Sequence, residues 1–505
     1  MKRWEMALAI TGVLLVAASA SILRRWEPPQ RDFVLVAGDC HMPVTILAPR
    51  QTTRDAALVF HGLAADRQIM KSLGDYLRRE VGLRVYLFDL PGHGDNTDGF
   101  SFSRADHCAR VVVESLVRSG EIDPHRTILV GHSMGGAIAI RVADREPVAA
   151  TVALSPAPMP LPQRMPSNLM VFSAQYDLPV LKRAAQMLAQ AAGGERSEAD
   201  DFRQARGFHL EVISFSDHTS LLTDPRVLRR SADWINRVLD GANPNHSGPQ
   251  QSHRYRNLAP LTGLLGLLLL FPFSATAAAT IVSPPFIDSS ATGPPAPLAL
   301  VEGVACAMAT VLVLTVWVPL SVVDLYTGAY LASALLIVGV LLLALNWKSA
   351  KQAFGLNPRA VFVAALLGFA VMLGLGAWLN WQIADLWLNR PRWLRFAGLL
   401  PAAWIFCFAE EVMLGPVGEG CPRALRFALS LVLRAELWLA CLFAYYALAS
   451  GQVLILILVA SLALFSILER LASDALRLRT GSATAAAVFG AILAAWFIAA
   501  VFPLT

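Results

Sequence analysis

From Leu258 onward the sequence is a succession of long apolar runs with only short polar links between them. This constrains folding more than any motif does. A run of roughly 20 apolar residues satisfies its own backbone hydrogen bonds as a helix and is long enough to cross a bilayer. A water-soluble core helix would carry a polar stripe, and most of these runs have none. Eight spans are expected, at about 258–283, 298–323, 329–346, 360–381, 394–413, 428–449, 452–468 and 483–502, making residues 258–505 an all-α polytopic membrane domain. They explain why 55% of the chain is hydrophobic and 16% charged, against roughly 25% charged residues in soluble chains.

The first half reads differently. Every one of the ten histidines lies before Arg256, among charges and turn residues. One apolar run, Met6–Leu23, is flanked by Lys2, Arg3, Arg24 and Arg25, so residues 1–29 are expected to be a membrane anchor. Ala18-Ser19-Ala20 also fits a signal-peptidase site, which leaves a cleaved signal as the alternative. From Phe33 short β-branched runs alternate with helical stretches. Strands are expected at Phe33–Val36, Val44–Ala48, Ala57–Phe60, Val85–Asp89, Thr127–Val130, Thr151–Leu154, Leu169–Ser173 and Leu210–Ser214, with the first two as an antiparallel hairpin. Helices are expected near Arg67–Glu80, Arg104–Arg118, Met134–Asp144, Pro179–Ala192 and Arg226–Leu239. This alternation implies an α/β domain over 30–240, with a mostly parallel sheet covered by helices on both faces. Residues 241–257 are expected to be a polar linker.

Charge and cysteine content exclude several classes. The net charge of +5 comes with no Lys/Arg run interleaved with aromatics and no nucleic-acid module, so no nucleic-acid partner is expected. The bases gather beside apolar spans instead. Links 347–359, 414–427 and 469–480 carry Lys348, Lys351, Arg359, Arg423, Arg426, Arg470, Arg477 and Arg479. Links 324–328 and 450–451 carry none, while 382–393 breaks the alternation with Arg390 and Arg392. Bases on the inner side then place residues 24–257 outside the cytoplasm. Six scattered cysteines make no disulfide framework. Cys40 and Cys108, the two in the globular part, pair only if that part faces an oxidising compartment; free buried thiols are the default. No CxxC or Cys/His cluster points to zinc, and neither metal nor cofactor is expected.

The chemistry concentrates at Gly131-His132-Ser133-Met134-Gly135-Gly136, directly after one expected strand and directly before a helix. A serine there occupies a tight, strained turn with its hydroxyl above the sheet edge, and Gly131 and Gly135 keep side chains out of the strand–helix crossing. The helix from Met134 directs its dipole and free amides at developing negative charge. The bland alternative for Ser133 is a structural turn serine.

With its neighbouring motifs, this stretch resembles the α/β-hydrolase superfamily, in particular its serine aminopeptidase and monoacylglycerol-lipase-like branch, over about residues 33–240. His61-Gly62-Leu63 looks like the family's oxyanion segment and Asp89-Leu90-Pro91-Gly92-His93-Gly94 like the loop after its next strand. Asp177 and His218 follow the strands after which the family keeps its acid and its histidine, in the order Ser, Asp, His that the fold dictates. The resemblance implies Ser133 as nucleophile, His218 as general base and acid, Asp177 as orienting carboxylate, and the Leu63 and Met134 N–H groups as the oxyanion hole. Asp200 and Asp201 compete with Asp177, and His209 with His218; each fits its position less well. His61 and His93 read as loop-shaping residues, and His132 as packing or touching substrate. One departure stands out: only Pro156–Asn168, with five prolines, replaces the cap domain of many relatives. An open cleft is expected, with Gly193–Gly207 partly covering one side.

Glu410-Glu411 lies within an apolar span, where charge is costly. The pair is similar to that of the CAAX-processing membrane proteases, but their arginine position is Gly415 here and no histidine follows His253, so that reading fails. An interfacial cap, or a partner for Arg395 or Arg423, is expected instead. The sequence therefore points to a membrane-bound serine hydrolase of carboxylic esters, lipid esters among them, working through an acyl-enzyme beside the lipid bilayer. The alternatives are a serine peptidase of small peptides, or a transporter or scaffold with a regulatory hydrolase-like domain.

Overall fold

The computed structural model describes residues 3–49, 51, 53–196, 199–240, 250–281, 293–355, 357–415 and 422–505. The chain divides into two compact units, one comprising Ser19–Leu261, Leu379–Asp385 and Pro503–Thr505, the other Met1–Ala18, Thr262–Trp378 and Leu386–Phe502.

In the first unit the end of helix α1 (Arg3–Trp26) leads into an eight-stranded sheet. Its strands are β1 (Gln30–Ala37), β2 (Cys40–Leu47), β3 (Ala56–Phe60), β4 (Arg84–Phe88), β5 (Thr127–His132), β6 (Ala150–Leu154), β7 (Leu169–Ala174) and β8 (Phe208–Ile213). They stand in the order β1-β2-β4-β3-β5-β6-β7-β8. The β1–β2 and β2–β4 joins are antiparallel and all others parallel. β3, β5, β6 and β7 are buried along their whole length, as unbroken apolar strands between two helical layers must be. The helices are α2 (Lys71–Glu80), α3 (Phe102–Arg118), α4 (Met134–Ala143), α5 (Pro179–Ala192), the single turn α6 (Ala199–Arg203) and α7 (Pro225–Asp240). One apolar core joins α2 and α7 to one face of the sheet, and a smaller one joins α5 to the β6–β8 side. All eight expected strands are present, including the leading hairpin.

Two expectations change here. Cys40 and Cys108 form a disulfide with Cα atoms 5.4 Å apart, because α3 docks on β2 and brings together residues 68 positions apart. Among its described residues the Gly193–Gly207 segment does not cover the cleft. It joins the end of α5 to the start of β8, with Phe202 packed edge-on against Trp234 and Gly207 bonded to Asn168 just before β7. That is the end of the strands opposite the site described below.

The second unit is all helical. It holds most of α1 together with α8 (Gln250–Ile281, from Thr262), α9 (Ala296–Leu314), α10 (Gly328–Leu345), α11 (Trp347–Ala353), α12 (Pro358–Gln382, to Trp378), α13 (Arg390–Leu414), α14 (Arg423–Ala447), α15 (Val453–Thr480) and α16 (Ala483–Val501). Among the described residues nine helices are long and apolar enough to cross a membrane, α1 and eight from α8 onward. α9 ends at Leu314, well before the expected 323, and α8 begins at Gln250, inside the expected linker, whose residues 241–249 lie outside the described residues.

Glu410 and Glu411 are neither an interfacial cap nor partners of Arg395, which faces Asp324; the Arg423 side chain lies outside the described residues. They are buried among α13, α14 and α15. Arg434 binds both oxygens of Glu410 at 2.7 Å and reaches Glu469 at 2.5 Å. Arg470 bridges Glu410, Glu411 and Asp474 at 3.2, 2.5 and 2.6 Å, and Arg426 binds Glu411 at 2.7 Å. Arg426, Arg470 and Arg477, counted above among the bases of the links, are thus buried against carboxylates. Charges at such depth persist when paired and hydrogen-bonded.

Candidate active site

Six parallel strands end on the same edge of the sheet, and the loops that follow them carry the residues singled out in the sequence. Ser133 lies between β5 and α4 with φ 54° and ψ −115°, left-handed backbone that a serine rarely adopts. Two glycines permit the turn: a Cβ on Gly131 would run into the Gly135 carbonyl, and one on Gly135 into the Phe60 carbonyl. The turn is tied from both sides. Ser133 N–H donates to Leu154 O at 2.8 Å, and its carbonyl accepts from Ala157 N–H at 2.9 Å. Strain of this kind persists where the surroundings over-determine it.

Asp177 follows β7, and His218 follows β8. His218 Nδ1 donates to Asp177 Oδ1 at 2.8 Å, so a ring proton sits on Nδ1 facing the carboxylate. The other carboxylate oxygen accepts from Ser155 Oγ and from Ala174 N–H, the latter at 3.1 Å. Burial acts to raise the Asp177 pKa, yet the hydrogen bonds from His218 and Ser155 outweigh it and hold the group below the usual carboxylate range. The His218 side chain is 18% exposed while that of Asp177 is fully covered, so the imidazole is the member of the pair that solvent reaches.

His218 lies beside the serine turn through His132. The His132 ring is 4.6 Å from the His218 ring, and its Nε2 donates to the His218 carbonyl at 2.9 Å. Burial first, and the neighbouring His218 second, push the His132 pKa down to about 3. His132 is thus a neutral strut between the serine turn and the histidine loop. The segment His61-Gly62-Leu63 is on the serine's other side: a Cβ on Gly62 would lie 3.2 Å from Ser133 Cβ. Met134 opens α4, where N–H groups precede the first intrahelical bond. Leu63 and Met134, expected as oxyanion donors, are thus the residues that follow Gly62 and Ser133 at this close approach.

The other histidines shape loops or lie elsewhere. His61 Nδ1 donates to Gly62 O at 2.7 Å and its Nε2 accepts from Leu90 N–H at 3.0 Å, joining the β3 and β4 loops; burial lowers its pKa. The His93 ring packs against it at a tilt, with ring centroids 5.0 Å apart. His209 pairs with Glu195 at 3.0 Å on β8 and stays away from the serine turn; Asp201 lies on α6, and the Asp200 side chain lies outside the described residues. Ser155 escaped the sequence reading. A single serine after a strand has no spacing signature, and only the sheet order brings it to Asp177. No helix forms over Pro156–Asn168, so no cap stands there. Asp89, Asp95 and Asp385 converge as metal ligands would, but the Arg67 guanidinium binds the first two and supplies their countercharge.

Residues 57–287 match the model of the alpha/beta hydrolase family. An uncharacterized protein of Mycobacterium tuberculosis is 38% identical over 101 residues, 20% of this chain and 36% of that protein. A non-heme haloperoxidase-like protein of Mycobacterium phage D29 is 36% identical over 105 residues, again 20% and 36% of the two chains. The chain thus spans about a third of the length of these curated relatives. Among solved structures, an alpha-beta serine hydrolase homologue from Coxiella burnetii is 17% identical, with 41% of this chain and 97% of that chain covered and a TM-score of 0.33.

Proposed function

We propose, from the match of residues 57–287 to the alpha/beta hydrolase family model, that the protein is a membrane-bound serine hydrolase of carboxylic esters, with Ser133, His218 and Asp177 as its triad. The observation that carries the reading is the Asp177–His218 hydrogen bond of 2.8 Å beside a serine in strained left-handed backbone.

The roles follow from the chemistry of each group. Serine is a weak nucleophile until a base takes its proton during attack. His218 accepts that proton on Nε2, because Nδ1–H is committed to Asp177, and returns it to the departing alcohol. Asp177 holds this tautomer and stabilises the imidazolium without taking its proton. The N–H groups of Leu63 and Met134 stabilise the oxyanion, each contributing on the order of 100- to 1000-fold in rate. Water then attacks the acyl-enzyme by the same route.

The nine apolar helices support integration in a membrane. A hydrolase unit outside the cytoplasm accords with the Cys40–Cys108 disulfide, since such bonds persist in oxidising compartments. The exposed bases Lys348, Lys351 and Arg359 support the same orientation.

Labelling by a fluorophosphonate probe tests the nucleophile: the wild-type chain should label, and Ser133→Ala should not. Labelling retained in that variant, or absent from the wild type, removes the reading. A panel of esters and aminoacyl amides then divides esterase from peptidase, with faster ester turnover expected.

A further inference from the structure

We propose that an apolar groove between the β6–β7 linker and α5 seats the acyl chain of the substrate, so that the preferred esters are those of extended alkyl acids. This rests on the assignment of Ser133 as nucleophile. The groove has a volume of about 190 Å³. Met159 and Leu161 form one wall; Val180, Ala184 and Met187, on a single face of α5, form the other.

Its position connects it to the chemistry. The linker leaves the serine turn at Ala157, whose N–H is bound to the Ser133 carbonyl, and Pro158 and Met159 line the groove directly afterwards. Val180 comes three residues after Asp177. One end of the groove is therefore set by the same two segments that hold the nucleophile and the orienting acid.

Its composition selects an alkyl chain. Leu161, Val180 and Met187 are 45%, 48% and 48% exposed, an apolar strip left uncovered on both walls. Contiguous exposed apolar surface of this sort marks a binding groove. The one charged lining residue is Arg183, whose aliphatic stem extends the apolar wall while its guanidinium reaches water. Recognition of a peptide or sugar relies on placed polar groups, which these walls lack. Methionines on both walls let the groove adapt to chain length.

The test uses the full-length protein in detergent and a series of alkyl fluorophosphonates from methyl to octyl. In each reaction Ser133 Oγ forms a P–O bond, fluoride leaves, and the hydroxyl proton passes to His218. Each methylene taken from water should raise the labelling rate about twofold to fourfold, for an octyl-to-methyl ratio on the order of a hundredfold or more. Met187→Trp and, separately, Ala184→Phe fill the groove and should lower that ratio at least tenfold. A ratio near one in the wild type, or a ratio unchanged in both variants, overturns the groove while leaving Ser133 as nucleophile. No labelling by any probe overturns the nucleophile and the groove together.

Discussion

Ser133 has its backbone fixed by bonds to Leu154 and Ala157, and the proposed base is held by bonds from His132 and to Asp177. Removing either end of that arrangement should be severe. Ser133→Ala should lower ester turnover by on the order of 10⁶-fold. Asp177→Asn, which presents the wrong tautomer to His218, should lower it by about 10⁴-fold, measured as kcat in the same assay. Ser155→Ala tests the support of the acid. The folded pKa of Asp177 lies below its unfolded value, so the group adds stability above about pH 4 and loses that contribution as pH falls through the folded value. Deleting the Ser155 hydrogen bond shrinks this contribution at neutral pH and leaves the fully protonated state unaffected. The Tm difference between pH 7 and pH 3 should therefore be smaller in Ser155→Ala than in wild type; an unchanged difference contradicts the assignment. The placement of Ser133, Asp177 and His218 after β5, β7 and β8 was legible in the sequence, because strand periodicity and turn residues are local signals. Ser155 and the strut role of His132 were not, since they depend on where β5, β6 and the His218 loop come to lie.

Among the elements, the β5–α4 crossing is the tightest. Gly135 has no room for a Cβ against Phe60, and Gly135→Ala should abolish activity together with cooperative thermal unfolding of the hydrolase unit. The α13–α15 charge cluster makes a contrasting case. Glu411 faces Arg426, Arg470 and Arg477 in a buried setting. Glu411→Gln leaves cations without their counter-charge and should cost about 3–5 kcal/mol of stability, read as a lowered unfolding temperature in detergent, whereas replacing Glu411 and Arg426 together by leucine should cost less. Strands and helices could be read from the sequence because periodicity is local. The ion partners of Glu410 and Glu411 could not, because they stand 15 to 66 residues away and their pairing follows from how helices pack. Arg470 and Arg477, read as bases of the link 469–480, are among those partners, and α15 continues through them to Thr480.

For the whole molecule, the long apolar runs made the division between an α/β unit and a helical unit legible, since a segment without a polar face has few ways to fold. The disulfide was left open by the sequence: two lone cysteines pair only when β2 and α3 meet. Closing 68 residues, it should contribute about 4 kcal/mol, so a Cys40→Ser, Cys108→Ser chain should unfold at clearly lower temperature than the wild type under non-reducing conditions and match it under reducing ones. The central claim is that Ser133 carries the acyl group between two half-reactions. Rapid quenching of full-length protein with an activated ester, followed by mass spectrometry of its peptides, tests that claim most directly. The account predicts a transient acyl adduct on the peptide containing Ser133, absent from Ser133→Ala. Ester turnover with no adduct there, or with the adduct on another residue, would contradict it.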